Sequence, residues 1–432
     1  MKKTTLLFFL FAPVLVIAQQ NQSTQKFKQL YEELPTPNVY RTAAGAPGHA
    51  YYQQRADYKI SVELDDENQS ISGEETITYT NNSPDVLEYF WLQLDQNNKQ
   101  KDNIVRKSRT SSLSGRTSFN TMESLHYDFD GGFKIDYVKD AKNKDLAYTI
   151  NETMMRVDPP QPLKPGGKFV IKIKYSFNIN DRLKLGGRSG YEYFEEDDNY
   201  LYTMAQFFPR MAVYNDVEGW QNKQFLGGGE FALPFGDYEV DITVPSDHLI
   251  AATGELANAS KILPREKLNL YNKAKTASEP VIIYTQAEAM EREKSKAKDK
   301  KTWTFKATNV RDFGFATSRK FIWDAIGVKF GSRTVLAMSM YPKEGNPLWE
   351  QYSTRAVAHT LETYSKYTFD YPYPVAWSIN ADRIGMEYPM ICFNYGRTEK
   401  DGTYTDRIKY GMISVIIHEV GHNYFPMIVN SD

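Results

Sequence analysis

Apolar and polar residues alternate along positions 58–64, read as Tyr-Lys-Ile-Ser-Val-Glu-Leu, and the alternation returns at 70–79 after the polar run 65–68. Period two puts successive side chains on opposite faces of a strand, so the pattern predicts an antiparallel pair with one buried face. Further strands are predicted at 88–94, 133–138, 168–177, 238–244 and 281–286. Turn signals such as Pro165-Gly166-Gly167 and Gly186-Gly187 lie between many of them. No helical period of useful length is read before about residue 350, so the front two-thirds is predicted as an all-β body, a saddle or sandwich of antiparallel strands. Within it, the charge-dense stretch 287–301 reads as a solvated loop or exposed helix, and a strand resumes at 303–305.

The period changes near residue 348. Positions 349–367 predict one long amphipathic helix, and Tyr371-Pro372-Tyr373-Pro374 ends it. Strands are predicted at 375–380 and 384–393. A second helix, starting near Lys409, runs into His418-Glu419-Val420-Gly421-His422. This order predicts a multidomain chain: a signal peptide at 1–18, an arm or linker at 19–50 with breakers Pro35, Pro37, Gly45, Pro47 and Gly48, a β-rich domain at 51–330, and the start of an α+β lobe at 331–432.

Composition narrows the setting. A chain of 432 residues is too long for one core. Its formal net charge is −2 with both signs spread throughout, so no footprint for nucleic acid or an anionic membrane is present. The 30 Tyr and 24 Phe suit a β-rich body. Lys2 and Lys3, the apolar run 6–17 and a cleavage site near Val16-Ile17-Ala18 read as a signal peptide, with a retained anchor as the competing reading. No Cys follows the apolar run for lipid attachment, and Cys392 is the single cysteine, so no intramolecular disulfide can form. An exported protein of this kind suits a bacterial periplasm or secretion, with no stable membrane insertion after signal removal.

The chemistry gathers at the second helix. Residues four apart share a helix face, so His418 and His422 can offer two imidazoles to one zinc ion, and Glu419 can reach a metal-bound water as general base without ligating the metal. The competing reading is a satisfied core cluster of two His and a Glu. In the metzincin pattern a Gly and a third His follow, but those offsets hold Phe425 and Ile428. Asp432 is the one acidic residue after His422, so a third protein ligand is not read in the chain. His49, His126 and His248 have no partner at ligand spacing, and His359, on the long helix, reads as a packed or surface histidine rather than a ligand. Cys392 reads as a small buried hydrophobe following Glu387 on one strand. Asp382 and Arg383 read either as part of a cleft or as a local ion pair.

The His418-Glu419-x-x-His422 motif, with Gly385-Met386-Glu387 upstream and Asn423-Tyr424-Phe425 after it, resembles the M1 family of zinc aminopeptidases, the gluzincins that include aminopeptidase N. The resemblance is carried mainly by 339–432, and it implies a saddle-shaped N-terminal domain ahead of a thermolysin-like catalytic domain. It implies that His418 and His422 ligate zinc, that Glu419 activates water, that Glu387 binds the free α-amino group of a peptide, and that Gly385 and Met386 pair with the substrate backbone. Gln206, in Met204-Ala205-Gln206-Phe207-Phe208-Pro209, resembles the family's Gln that helps to hold the same amine. Tyr388 and Ile384 depart from the family's Gly-x-Met-Glu-Asn strand. The third ligand that the resemblance implies, a downstream Glu, and the family's transition-state Tyr would both fall beyond Asp432. The chain is therefore expected to bind zinc weakly and to hydrolyse peptides poorly or not at all. Two functions follow: a zinc-dependent aminopeptidase acting on peptides with a free N-terminus and represented here by an incomplete chain, or a non-catalytic peptide-binding or structural protein with a degenerate metallopeptidase lobe.

Overall fold

The computed structural model describes residues 37–108, 115–119, 122, 128–227 and 232–428, so the predicted signal segment, the first part of the arm and His126 lie outside the described residues. The chain divides into two units after Tyr51. In the first, the Asn38 carboxamide oxygen accepts from the Tyr40 and Arg41 N–H groups at 2.8 and 2.9 Å, and Arg41 bridges to Pro47.

The second unit is β-rich. A seven-stranded sheet runs in the order Glu255–Leu256, Lys300–Val310, Gly236–Pro245, Arg55–Asp65, Ser70–Thr80, Lys168–Asn178, Lys134–Asp140. Tyr58, Ile60, Val62 and Leu64 are buried while Lys59, Ser61 and Glu63 face out, as period two requires. Arg55–Asp65 pairs antiparallel with Ser70–Thr80. Its other edge pairs parallel with Gly236–Pro245, which corrects the purely antiparallel expectation. Here Tyr58 stacks on Tyr238 with ring centroids 4.6 Å apart, a contact between strands so distant in sequence that no turn signal announces it. Two four-stranded sheets, one built on Phe90–Gln93 and Met154–Asp158 and the other on Asn199–Met204 and Phe315–Ser318, and a two-stranded one of Tyr214–Asn215 and Gly219–Trp220 complete the body.

The body is not free of helices. Arg265–Ala274 and Gln286–Ser295 are helical. The second starts from a capping box, in which the Thr285 hydroxyl accepts from the Glu288 N–H at 3.3 Å and the Glu288 carboxylate accepts from the Thr285 N–H at 2.8 Å. That exchange satisfies two orphan donors and stops the preceding strand at Tyr284.

A further sheet has six strands in the order Val281–Tyr284, Ile322–Phe330, Arg333–Tyr341, Val375–Asn380, Ile391–Asn394, Gly385–Tyr388. Val375–Asn380 is buried at every position and parallel to both neighbours, hence its unbroken apolar-to-neutral sequence. The helices Leu348–Tyr367 and Asp406–Gly421 pack on this sheet and on each other. The single strand predicted at 384–393 is a hairpin, Gly385–Tyr388 and Ile391–Asn394, because Pro389 cannot donate to a ladder and Met390 turns the chain at φ 66°.

A buried polar chain runs beneath the long helix. The Tyr341 hydroxyl donates to Asp324 at 2.6 Å, Thr354 donates to the same carboxyl, and Ser339, Ser353 and Ser378 continue the chain at 2.7, 2.8 and 3.2 Å. Burial pushes the Asp324 carboxyl up to about 7, with Glu350 adding to the rise and the two hydroxyls and Arg355 opposing it. The folded chain therefore holds a proton that the unfolded chain has released. Its stabilising effect is complete below the carboxyl's ordinary value of 3.8 and is lost as pH rises through about 7. Asp324→Asn is expected to flatten the fall in urea stability between pH 4.5 and 7.5 by a few kcal/mol, on the order of 1.4 per pKa unit. An unchanged pH slope in the variant would exclude Asp324 as its source.

Candidate metal and substrate site

The helix Asp406–Gly421 begins at Thr405, whose hydroxyl accepts from the Ile408 N–H at 3.3 Å, and His422 caps its C-terminal end. Gly421 permits this placement, since a Cβ there would lie 2.6 Å from the Tyr364 hydroxyl on the neighbouring helix. After the motif, the Asn423 side-chain oxygen accepts from the Met390 N–H at 2.7 Å and from the Tyr371 hydroxyl at 3.4 Å. The end of the motif helix is thereby tied to the turn of the 385–394 hairpin.

The two imidazoles meet: His418 Nε2 and His422 Nε2 are 3.0 Å apart. Two nitrogens bound tetrahedrally at zinc's usual ~2.0–2.1 Å lie about 3.3 Å apart, so the pair fits one ion with little adjustment. His422 Nδ1 donates to the Phe425 carbonyl at 2.9 Å, which leaves Nε2 as the unprotonated, ligating nitrogen. With a Glu419 carboxylate oxygen, these atoms lie within 4.8 Å of one another, and this is the one such group of His, Cys, Asp or Glu among the described residues.

Glu419 is 6% exposed, and its Oε2 has no hydrogen-bond partner among the described residues. It lies over the edge strand of the six-stranded sheet. A Cβ at Gly385 would meet Glu419 Oε1 at 2.6 Å and Val415 Cγ2 at 3.2 Å, so the strand must begin with glycine for the carboxylate to sit there. The Glu387 carboxyl, 6% exposed, hydrogen-bonds to Glu419. Burial and then the charge of Glu387 push the Glu419 carboxyl up to about 7, while His422 and Arg188 pull it down. Two acids and two imidazoles thus converge where a cation would be stabilised.

Strand alternation turns Tyr388 away from Glu387. Its hydroxyl accepts from the backbone N–H of Gln206 at 2.8 Å, which brings Gln206 beside the strand. The structure therefore gathers Glu387, Glu419, His418 and His422, with Gly385 under Glu419 and Gln206 held at the next residue along. Met386 is buried opposite Phe393. Cys392 is not on the strand of Glu387, as expected from the sequence, but directly opposite it on the paired strand. Its buried thiol contacts the Trp377 carbonyl at 3.2 Å, and burial pushes it well above the ordinary thiol range. Arg383 forms an exposed pair with Asp382 at 3.1 Å.

Glu192 escaped the sequence reading. It is 3% exposed, accepts from the Asp382 N–H at 3.0 Å and from Arg397 Nη2 at 3.0 Å, and so fixes the turn that leads into the 385–388 strand. An isolated Glu in a tyrosine-rich strand carries no signal for this.

No family model matches the chain, and no curated protein matches it either. Among solved structures it is similar to the M1 zinc metallopeptidase from Deinococcus radiodurans, at TM-score 0.49 and 15% identity over 89% of this chain and 67% of that one. A two-domain M1 zinc metallopeptidase mutant bound to L-arginine gives 0.49 and 16% over 88% and 65%. A mutant of the Deinococcus radiodurans enzyme bound to a Tyr-Ser-Ala substrate gives 0.48 and 14% over 89% and 67%. Among the described residues no helix is long and apolar enough to cross a membrane.

Proposed function

We infer that this chain carries the metal-binding and amine-recognising parts of a zinc-dependent aminopeptidase of the M1, gluzincin type, with a β-rich domain ahead of a thermolysin-like α+β lobe, acting outside the cytoplasm. The observation that carries the reading is the approach of the two imidazole nitrogens to 3.0 Å beside the paired carboxyls of Glu419 and Glu387. Zinc bound there would supply Lewis acidity and an activated water. The chain's own groups do the rest. His418 and His422 hold the ion. Glu419 takes the proton of the attacking water and returns it to the leaving amine. Glu387 pairs with the substrate ammonium and so measures where the peptide begins.

Among the described residues the group that can hold an ion is the two imidazoles and the Glu419 carboxylate; the second reading is a peptide-binding protein with a degenerate lobe, in which these groups hold a peptide without cutting it. An amino-acid anilide assay with chelation and zinc re-addition separates the two. Chelator-sensitive release restored by zinc supports the enzyme, and binding of peptide without metal-dependent release supports the second reading. Glu387→Gln is expected to weaken free-amine peptides by about 10–100-fold, the worth of a charged hydrogen bond, and to leave N-acetylated peptides unchanged. Equal loss for both peptides in a titration would remove Glu387 from amine recognition.

A further inference from the structure

We propose that Glu192, on the β-rich body, is a positioning residue that fixes where the edge strand Gly385–Tyr388 can pair with the backbone of a peptide. The inference rests on the aminopeptidase reading above, in which this strand meets the substrate. Gly385–Tyr388 ends the six-stranded sheet, with Ile391–Asn394 as its one strand neighbour among the described residues. An outer strand of four residues is marginal by itself, so its place depends on what holds the two ends of the hairpin. At the tip, the Met390 N–H donates to the Asn423 side-chain oxygen at 2.7 Å, and the Tyr388 hydroxyl accepts from the Gln206 N–H at 2.8 Å. The base is held by Glu192.

Glu192 lies buried on the strand Gly190–Phe194. Its Oε2 accepts from the Asp382 N–H at 3.0 Å, where the chain enters the hairpin. Both of its oxygens accept from the Arg397 guanidinium, where the chain leaves it, with Nη2 at 3.0 Å. The same guanidinium lies over the Phe194 ring at 5.1 Å. Arg397 Nε donates to Asn380 Oδ1 at 2.9 Å, and Asn380 Nδ2 donates to the Gly396 carbonyl at 3.1 Å. Entry and exit are thus tied to each other as well as to the body. Asp382 precedes Gly385 by three residues, at most about 11 Å of chain. Gly385 is the residue beneath Glu419, so this base is the end of the strand nearest the motif helix. Between the two, Arg383 sits at φ 48°, a left-handed conformation that a residue bearing a Cβ keeps only where its surroundings impose it. A forked guanidinium–carboxylate bond is directional, whereas a buried pair of this kind adds little stability over apolar residues of the same volume. What it supplies here is placement.

The test uses the full chain loaded with zinc and carrying Glu419→Gln, so that neither probe is cut. The probes, leucinamide and Leu-Gly-Gly-amide, are titrated calorimetrically. Both carry a free amine, and only the second has backbone beyond its first residue. The longer probe is expected to bind about 3–10-fold tighter, the worth of one backbone hydrogen bond. Glu192→Gln and Arg397→Lys are each expected to cut this margin below about twofold and to leave zinc affinity unchanged. Glu192→Gln also strands the buried Arg182, 3.8 Å from the carboxylate, so it is expected to lower the urea midpoint. Arg397→Lys keeps both charges and removes only the fork. A full margin in Arg397→Lys overturns the role of Glu192 and leaves the aminopeptidase reading intact. A margin lost together with zinc affinity overturns that role as well, since it marks a general loosening. No margin before either change overturns the reading of the strand and this role with it. Amide exchange needs no peptide: in Arg397→Lys the rates over 385–388 are expected to rise about 3–10-fold while those over 375–380 hold, and unchanged rates at 385–388 overturn the role.

Discussion

His422→Ala is expected to weaken zinc binding by more than about 100-fold, beyond the 10–100-fold that loss of an outer-sphere partner costs. The site draws two nitrogens from this helix, 3.0 Å apart, and beside them the described residues place only the Glu419 carboxylate within 4.8 Å, so loss of one imidazole removes one of few ligands. The His422 ring is also oriented by the Phe425 carbonyl at 2.9 Å, so alanine removes an oriented ligand rather than a mobile one. His359→Ala is the control. That ring, on the long helix, contacts the Thr363 hydroxyl at 3.4 Å and is expected to leave affinity unchanged. Glu419→Gln keeps both imidazoles, so it is expected to retain zinc and lose any metal-dependent hydrolysis. Competition against a chromogenic chelator reads all three, and wild-type affinity in His422→Ala would place the metal elsewhere.

The motif was legible because it is local. A helix of known pitch makes the geometry of His418, Glu419 and His422 follow from their spacing, and apolar neighbours without Pro or Gly announce the helix. The pair 55–65 and 70–80 was legible for the same reason, since one turn and period two specify both strands and their register. Val375–Asn380 and the long helix from 348 to 367 were read almost to the residue.

The misses have physical causes. The 384–393 stretch looked like one strand because its apolar content is continuous, but Pro389 was the signal for a turn. The helix at 286–295 falls within the stretch read as a loop or exposed helix, and the capping box at Thr285 and Glu288 is the signal that decides between the two. Contacts over long separations left no periodic trace. Gln206 and Tyr388 are 182 positions apart, and nothing in either neighbourhood predicts the bond. The sequence showed only that Tyr388 departs from the M1 pattern. That departure is one of the residues that reach the β-rich body, together with Asp382 and Arg397 on Glu192.

Arg210→Met is expected to destabilise the fold by about 3–5 kcal/mol, the cost of removing one partner from a buried ion cluster. Arg210 is 5% exposed and donates to both Asp95 and Asp312, which are 4% and 8% exposed, with Gln93 Oε1 at 3.4 Å. Burial pushes both carboxyls up although Arg210 pulls them down, because one guanidinium serves two acids and Asp95 Oδ1 has no partner among the described residues. Without the guanidinium, both acids must be buried unpaired or protonated. The loss is therefore expected to be smaller at pH 5 than at pH 8, since added protons neutralise the stranded carboxylates. Adding Asp95→Asn and Asp312→Asn to Arg210→Met is expected to recover more than half of the stability, because neutral amides cost less to bury than anions. Urea midpoints at the two pH values measure this, and a loss under about 1 kcal/mol at pH 8 would mean that water reaches the cluster.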